Sequence, residues 1–144
     1  MAALDHLNDI QVQNLINSIK QFKESLPIEM PAFGKIKDDT LVLGVYEQIE
    51  YKLHRYRHPI DMSRYSIHLR FKETNDILIR LDINNGSHRN PNGEIIPQNH
   101  IHIYKDSDYA KDAFAYPLPT EFTDLQSIFT ALEQFLLYTN IRNQ

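Results

Sequence analysis

The chain of 144 residues has no cysteine. That excludes disulfides, thiolate metal sites and a cysteine nucleophile. Its apolar runs fall far short of the roughly 20 residues that a membrane-spanning helix needs. Met1-Ala2-Ala3-Leu4-Asp5-His6 lacks the pattern of a signal peptide, so the expectation is a cytoplasmic protein with no membrane partner. Internal repeats, heptads and low-complexity tracts are missing as well. What remains is 42% hydrophobic content, enough for one compact domain over residues 1–144 with a single core.

The formal net charge of -4 argues against a general nucleic-acid binder. Its distribution is uneven. Lys52, Arg55, Arg57, Arg64, Arg70 and Lys72 stand against the single acid Asp61 between Tyr51 and Lys72. Such a patch can hold a phosphate or an RNA segment, or can simply be a solvated surface.

The apolar spacing of Leu4, Leu7, Ile10, Leu15, Ile19 and Phe22 predicts an amphipathic helix, with Asp5 or Asn8 near its start and Pro27 beyond its end. This helix and a linker occupy 1–34, a sheet occupies 41–119, and a second helix runs over 123–139. Thr123 followed by Gln126 offers that helix a capping box. The β segment starting at Leu41 continues, bent at Gly44 or near Ile49, through Arg55. Arg64 to Lys72 and Ile77 to Asn84 form a hairpin, His100 to Tyr104 a further strand, and Ala113 to Pro119 an edge strand or extended segment, since proline cannot donate to a ladder. The expected fold class is α+β: an antiparallel meander of about four to five strands with an N-terminal and a C-terminal helix on one side.

Six of the seven histidines fall in one stretch: His54, His58, His68, His88, His100 and His102. Side chains alternate faces along a strand. If the apolar faces of the three clear strands share a core, then His68, Arg70, Arg80, Asp82, His100, His102 and Tyr104 collect on the opposite face. Two hairpin registers are open. One sets Arg70 opposite Arg80 and His68 opposite Asp82; the other sets His68 opposite Arg80 and Ser66 opposite Asp82. Either crowds cations onto one face around a single carboxylate, the arrangement of a phosphate or phosphodiester site. Arg64, Arg70, Arg80 and Arg89 are the candidate phosphate ligands, with Asp82 orienting them; a surface salt-bridge network is the alternative. The turn-rich connection Asn84 to Asn99 joins two of these strands and adds His88 and Arg89, which suggests a functional loop.

His100-x-His102 projects two imidazoles from one face. The pair could bind zinc or another transition metal with His68, His88 or Asp82, or could serve as acid and base in metal-free phosphodiester cleavage, or could be plain surface. With one well-placed carboxylate, the expectation is no metal and no cofactor. His68, His88, His100, His102 and Tyr104 are then the candidate catalytic residues. His6, His54 and His58 are left aside because no second feature supports them.

Arg64-Tyr65-Ser66-Ile67-His68-Leu69, Leu78-Ile79-Arg80-Leu81-Asp82-Ile83-Asn84, His88 and His100-Ile101-His102 together resemble the pattern of the TumE-like toxin family. A related uncharacterised family of small bacterial and phage proteins is similar too, through His88 to Gly93 (His-x-Asn-Pro-x-Gly), His100 to Tyr104 (His-x-His-x-Tyr), Ala115 to Pro119 and Asn140-Ile141. The resemblance spans roughly residues 64 to 141. It implies a toxin of a toxin–antitoxin or mobile-element system, neutralised by a cognate antitoxin; the His/Arg/Tyr site adds the expectation of an RNase. The alternative is a non-catalytic, phage-encoded inhibitor that binds a nucleotide, a nucleic acid or a host defence protein. A homo-oligomer is compatible with either.

Overall fold

The computed structural model describes residues 4–26 and 31–143. Pro27, part of the linker from Leu26 to Gly34, and Met1 to Ala3 lie outside them. The elements in chain order are α1 (Asp9–Asn17), β1 (Lys20–Phe22), β2 (Ile36–Gly44), β3 (Ile49–Arg57), β4 (Tyr65–Phe71), β5 (Ile77–Ile83), β6 (His88–Arg89), β7 (Ile95–Ile96), β8 (His100–Ile103), β9 (Ala115–Pro117), α2 (Ile128–Tyr138) and β10 (Ile141–Arg142).

The fold is α+β. Its main sheet has eight strands in the order β10-β1-β2-β3-β4-β5-β8-β9, while β6 and β7 form a separate two-stranded ribbon. Every pairing in the main sheet is antiparallel except β1 with β10. The sheet is therefore wider than the four to five strands expected. The single bent β segment is in fact two strands, β2 and β3, turned at Gln48 with φ 59°. β9, with its two nearby prolines, takes the edge of the sheet, where a missing donor costs nothing.

Alternation places Tyr51, Leu53, Tyr65, Ile67, Leu69, Phe71, Ile79, Leu81, Ile83 and Ile101 in one core with both helices. In α1 the stripe facing that core is Val12, Leu15 and Ile16, whereas Ile10 points to solvent. Asn8 caps this helix in a reciprocal box with Gln11, and the chain turns into β1 soon after Ser18. α2 starts later than expected. Its N-cap is Ser127, whose side chain accepts from the Thr130 N–H, while Thr123 Oγ1 accepts instead from Gln134 Nε2 at 2.9 Å.

Lys20 ties the two helices to the sheet. Its buried ammonium donates to Ile16 O (2.9 Å) and Ser18 O (2.9 Å) at the end of α1, and to Thr139 O (2.8 Å) at the end of α2. The negative ends of two helix dipoles thus meet one cation. Burial pushes Lys20 down from 10.5 to about 7, and the Glu47 charge opposes that push. Lys20→Met should leave three carbonyls without a donor and lower the unfolding free energy by roughly 3 kcal/mol in a urea titration. Between pH 7 and 10.5 the unfolded chain holds a proton at Lys20 that the native state has released, so this residue makes stability rise with pH. The rise should be absent from the Met variant.

Candidate functional site

The hairpin adopts the second of the two registers, with His68 opposite Arg80 and Ser66 opposite Asp82. Neighbouring pairs extend the first of these rows across the sheet: Asp39, His54, His68, Arg80 and His102, one from each of β2, β3, β4, β5 and β8. In the adjacent row Asp82 faces His100. The face away from the helices therefore carries two adjoining polar clusters.

The first is Asp39, His54, His68 and Arg70. Asp39 accepts both terminal nitrogens of Arg70 at 2.9 and 3.0 Å and lies 2.8 Å from His54 Nδ1. The Arg70 hydrogen bonds hold the Asp39 carboxyl well below the usual range, against burial, and His54 adds to them. The rings of His54 and His68 stack at 4.7 Å, and Arg70 Nη1 donates to His68 Nε2 at 3.0 Å. Burial pushes His68 down to about 3, and the charges of His54, Arg70 and Arg80 add to that shift, so its ring is neutral near pH 7.

The second cluster is Arg80, Asp82, His88, His100, His102 and Asp112. Arg80 Nε donates to Asp82 Oδ2 at 3.2 Å and its Nη1 to Asp112 Oδ2 at 2.9 Å. Each of the three imidazoles is oriented by a backbone carbonyl: His100 Nδ1 by Pro97 O, His102 Nδ1 by Asp112 O and His88 Nε2 by Ala113 O, all at 2.8 Å. A carbonyl only accepts, so each of those nitrogens carries the proton. The His102 ring lies 4.9 Å from His100 and 4.8 Å from His88. Nε2 of His102 and of His100 stand 3.1 and 3.6 Å from Asp82 Oδ2. Burial pushes the Asp82 carboxyl up, but its polar neighbours His102, Arg80 and His100 outweigh that push and leave its pKa lowered. Burial pushes the His100 imidazole down, with a net lowering despite the Pro97 carbonyl.

The segment between β5 and β8 covers this cluster through β6 and β7, which pair His88 with Ile96 and Arg89 with Ile95. Its clasp is Asn90. The buried amide accepts from Ala115 N at 2.8 Å and donates to Ala115 O at 3.0 Å, which fastens the ribbon to β9. His100 and His102 are 2% and 1% exposed beneath it, so the half-buried His88 is the imidazole of this trio nearest to solvent.

Several expected site residues are not gathered here. Tyr104 sits in the core and donates to Leu4 O at 2.6 Å. The cause is a bulge in β5: Leu69 pairs with Ile79 but Arg70 with Ile77, so Leu78 is extra and joins the core beside Ile79. Tyr104, whose N–H donates to Leu78 O, turns to the core with it. Arg64 is exposed, and its Nε donates to Asn84 O at 3.2 Å; Arg89 is exposed on the ribbon. The basic patch of residues 51 to 72 is dispersed. Arg55 is buried on the helix side and bound through two nitrogens by Asp38, and Arg57 is buried there against Gly34 O and Pro31 O. Asp82 is also not the one carboxylate of its face, because Asp39 and Asp112 join it. His54, Asp39 and Asp112 are the residues that the sequence reading passed over.

The chain matches the Family of unknown function (DUF6978) over residues 7–141. It belongs to that family. The match takes in residues 7–63, which the sequence resemblance did not cover, along with both polar clusters. Searches of curated proteins and of solved structures gave no match. No helix among the described residues is long and apolar enough to cross a membrane.

Asn90→Ala should free the ribbon from β9. Removal of two buried hydrogen bonds should cost on the order of 2 kcal/mol, and amide exchange at Ala115 should accelerate in the native state while amides in β3 and β4 keep their protection.

Proposed function

We propose that the protein is an RNA-directed effector of the toxin class, held in check by a cognate antitoxin, with its phosphodiester-acting centre at Arg80, Asp82 and His88. The observation that carries this reading is the convergence of a guanidinium, a carboxylate and three imidazoles of fixed orientation at one point of the sheet. His88 keeps Nδ1 as a bare acceptor because Nε2 is committed to Ala113 O. That nitrogen suits the removal of a proton from a ribose 2′-hydroxyl, whose oxygen then attacks the adjacent phosphorus; the P–O5′ bond breaks, the 5′-oxygen leaves with a proton taken from water, and a 2′,3′-cyclic phosphate remains. Arg80 supplies positive charge for the phosphorane. Likeness to the TumE-like toxins, seen in the Arg-Tyr-Ser-x-His and Arg-x-Asp segments, supports the same direction.

A second reading has its own support. Arg70 is matched by Asp39, and Arg80 by both Asp82 and Asp112, so these cations are already spent within the chain. An acidic protein, of net charge -4, with its polar face neutralised in this way suits a binding module, such as a phage-encoded inhibitor seated on a host defence protein.

Induced expression should arrest growth and fragment cellular RNA. In purified protein His88→Ala should lower cleavage by about 10²–10⁴-fold, the usual worth of a positioned acid or base. Clean protein that cuts no RNA, together with unimpaired growth on expression, would refute the nuclease and favour the binding module.

A further inference from the structure

Three atoms that can only accept hydrogen bonds point at one another beneath the ribbon. Nδ1 of His100 and of His102 must carry the ring proton, because each faces a carbonyl oxygen at 2.8 Å. In the neutral ring Nε2 is then a bare lone pair. Both Nε2 atoms nevertheless approach Asp82 Oδ2, at 3.6 and 3.1 Å, and both side chains are buried. Bare acceptors packed around a buried carboxylate repel unless something positive stands between them. Arg80 reaches Oδ2 through Nε alone, from within the β5 strand, and directs Nη1 away to Asp112. A single shared proton would join only one of the nitrogens to the carboxylate and leave the other unmatched.

We infer that Asp82, His100 and His102 form a binding site for a divalent transition-metal ion of the zinc or iron type. One ligand atom from each residue lies within 4.8 Å of the other two. Bonds of about 2.0–2.2 Å to a tetrahedral ion put neighbouring ligand atoms roughly 3.3–3.6 Å apart, and the two contacts to Asp82 are 3.1 and 3.6 Å. Two imidazoles and one carboxylate select a borderline ion over magnesium or calcium, which prefer all-oxygen shells. The supporting shell is also present. Metal-bound histidines characteristically donate their second N–H to a carbonyl or carboxylate, as both do here, and the ligating carboxylate is itself held by Arg80.

Three protein ligands leave coordination positions open, as in catalytic rather than structural sites. His88, whose ring is 4.8 Å from that of His102, borders the opening without being a ligand. The expectation of a metal-free centre gives way to this assignment because Asp82 and the two imidazoles each offer a lone pair to the same point. The site does not depend on the RNA reading, since the ligand set would hold its ion whatever the substrate.

The test uses the untagged full chain, freed of metal with a chelator and titrated with Co²⁺ and then Zn²⁺. One Co²⁺ per chain should bind with visible d–d absorption, Zn²⁺ should displace it, and the melting temperature should rise with Zn²⁺ and fall back with chelator. His102→Gln and Asp82→Asn should each weaken Co²⁺ binding at least 100-fold. His54→Gln, on the same face but in the other cluster, should bind as the unaltered chain does. Absence of both the spectrum and the melting shift in the unaltered chain would overturn the assignment, a readout that needs neither a folded variant nor RNA. Retention of binding in both ligand variants, or equal loss in His54→Gln, would overturn it as well.

Discussion

A carboxylate fixed in the middle of a sheet face and covered by a loop has to be answered by positive charge, and the polar half of this molecule is organised by that demand at Asp82. Arg80 answers it from two residues along β5, and the imidazoles of β8 turn their Nε2 atoms to it from the next strand. The loop that follows β5 then encloses them. Its backbone, together with that of the connector after β8, supplies the carbonyls that orient each ring: Pro97, Asp112 and Ala113. Irregular chain is thus used here for what regular strands cannot provide, carbonyl oxygens free of the ladder and aimed at side chains.

The opposite half answers to a different demand. In the main sheet β4, β5 and β8 turn an uninterrupted apolar face to the core, and two short helices cover it. Neither helix carries a basic residue in its last turn, and the cation that serves both ends comes from β1. Arg55 and Arg57 mark the border of this half. Their guanidinium groups are buried, and Asp38 and the carbonyls of Gly34 and Pro31 satisfy them, so they contribute to the walls of the core rather than to an anion site.

The legible part of the molecule was the part with strict period-two alternation. Arg64 to Lys72, Ile77 to Ile83 and His100 to Ile103 announced both their strands and their faces, and Arg80, Asp82, His100 and His102 do share one face. Tyr104 went astray because a bulge leaves no mark in composition: Ile77-Leu78-Ile79 reads equally well with or without an extra residue. Asp39 lies in Lys37-Asp38-Asp39-Thr40, where polar neighbours give no phase to read. Asp112 belongs to an irregular connector, and its role was outside any periodic argument. His54 was within reach, since it alternates with Leu53 and Arg55, but the burial of two arginines on the apolar side obscured the pattern. β1, β9 and β10 span two or three residues each, too few for periodicity to register, and this is why the sheet is wider than its sequence suggested.

The parallel pair β1 and β10 joins Lys20 to Ile141 and Gln21 to Arg142, and Asn140 Nδ2 donates to Asn17 O alongside it. The partners of that hydrogen bond stand 123 residues apart, so the pairing closes only after α1 with β1 and the segment behind α2 have each taken shape. Until then β1 is an edge with one side unpaired. A partner that bound β1 along that side would compete with β10.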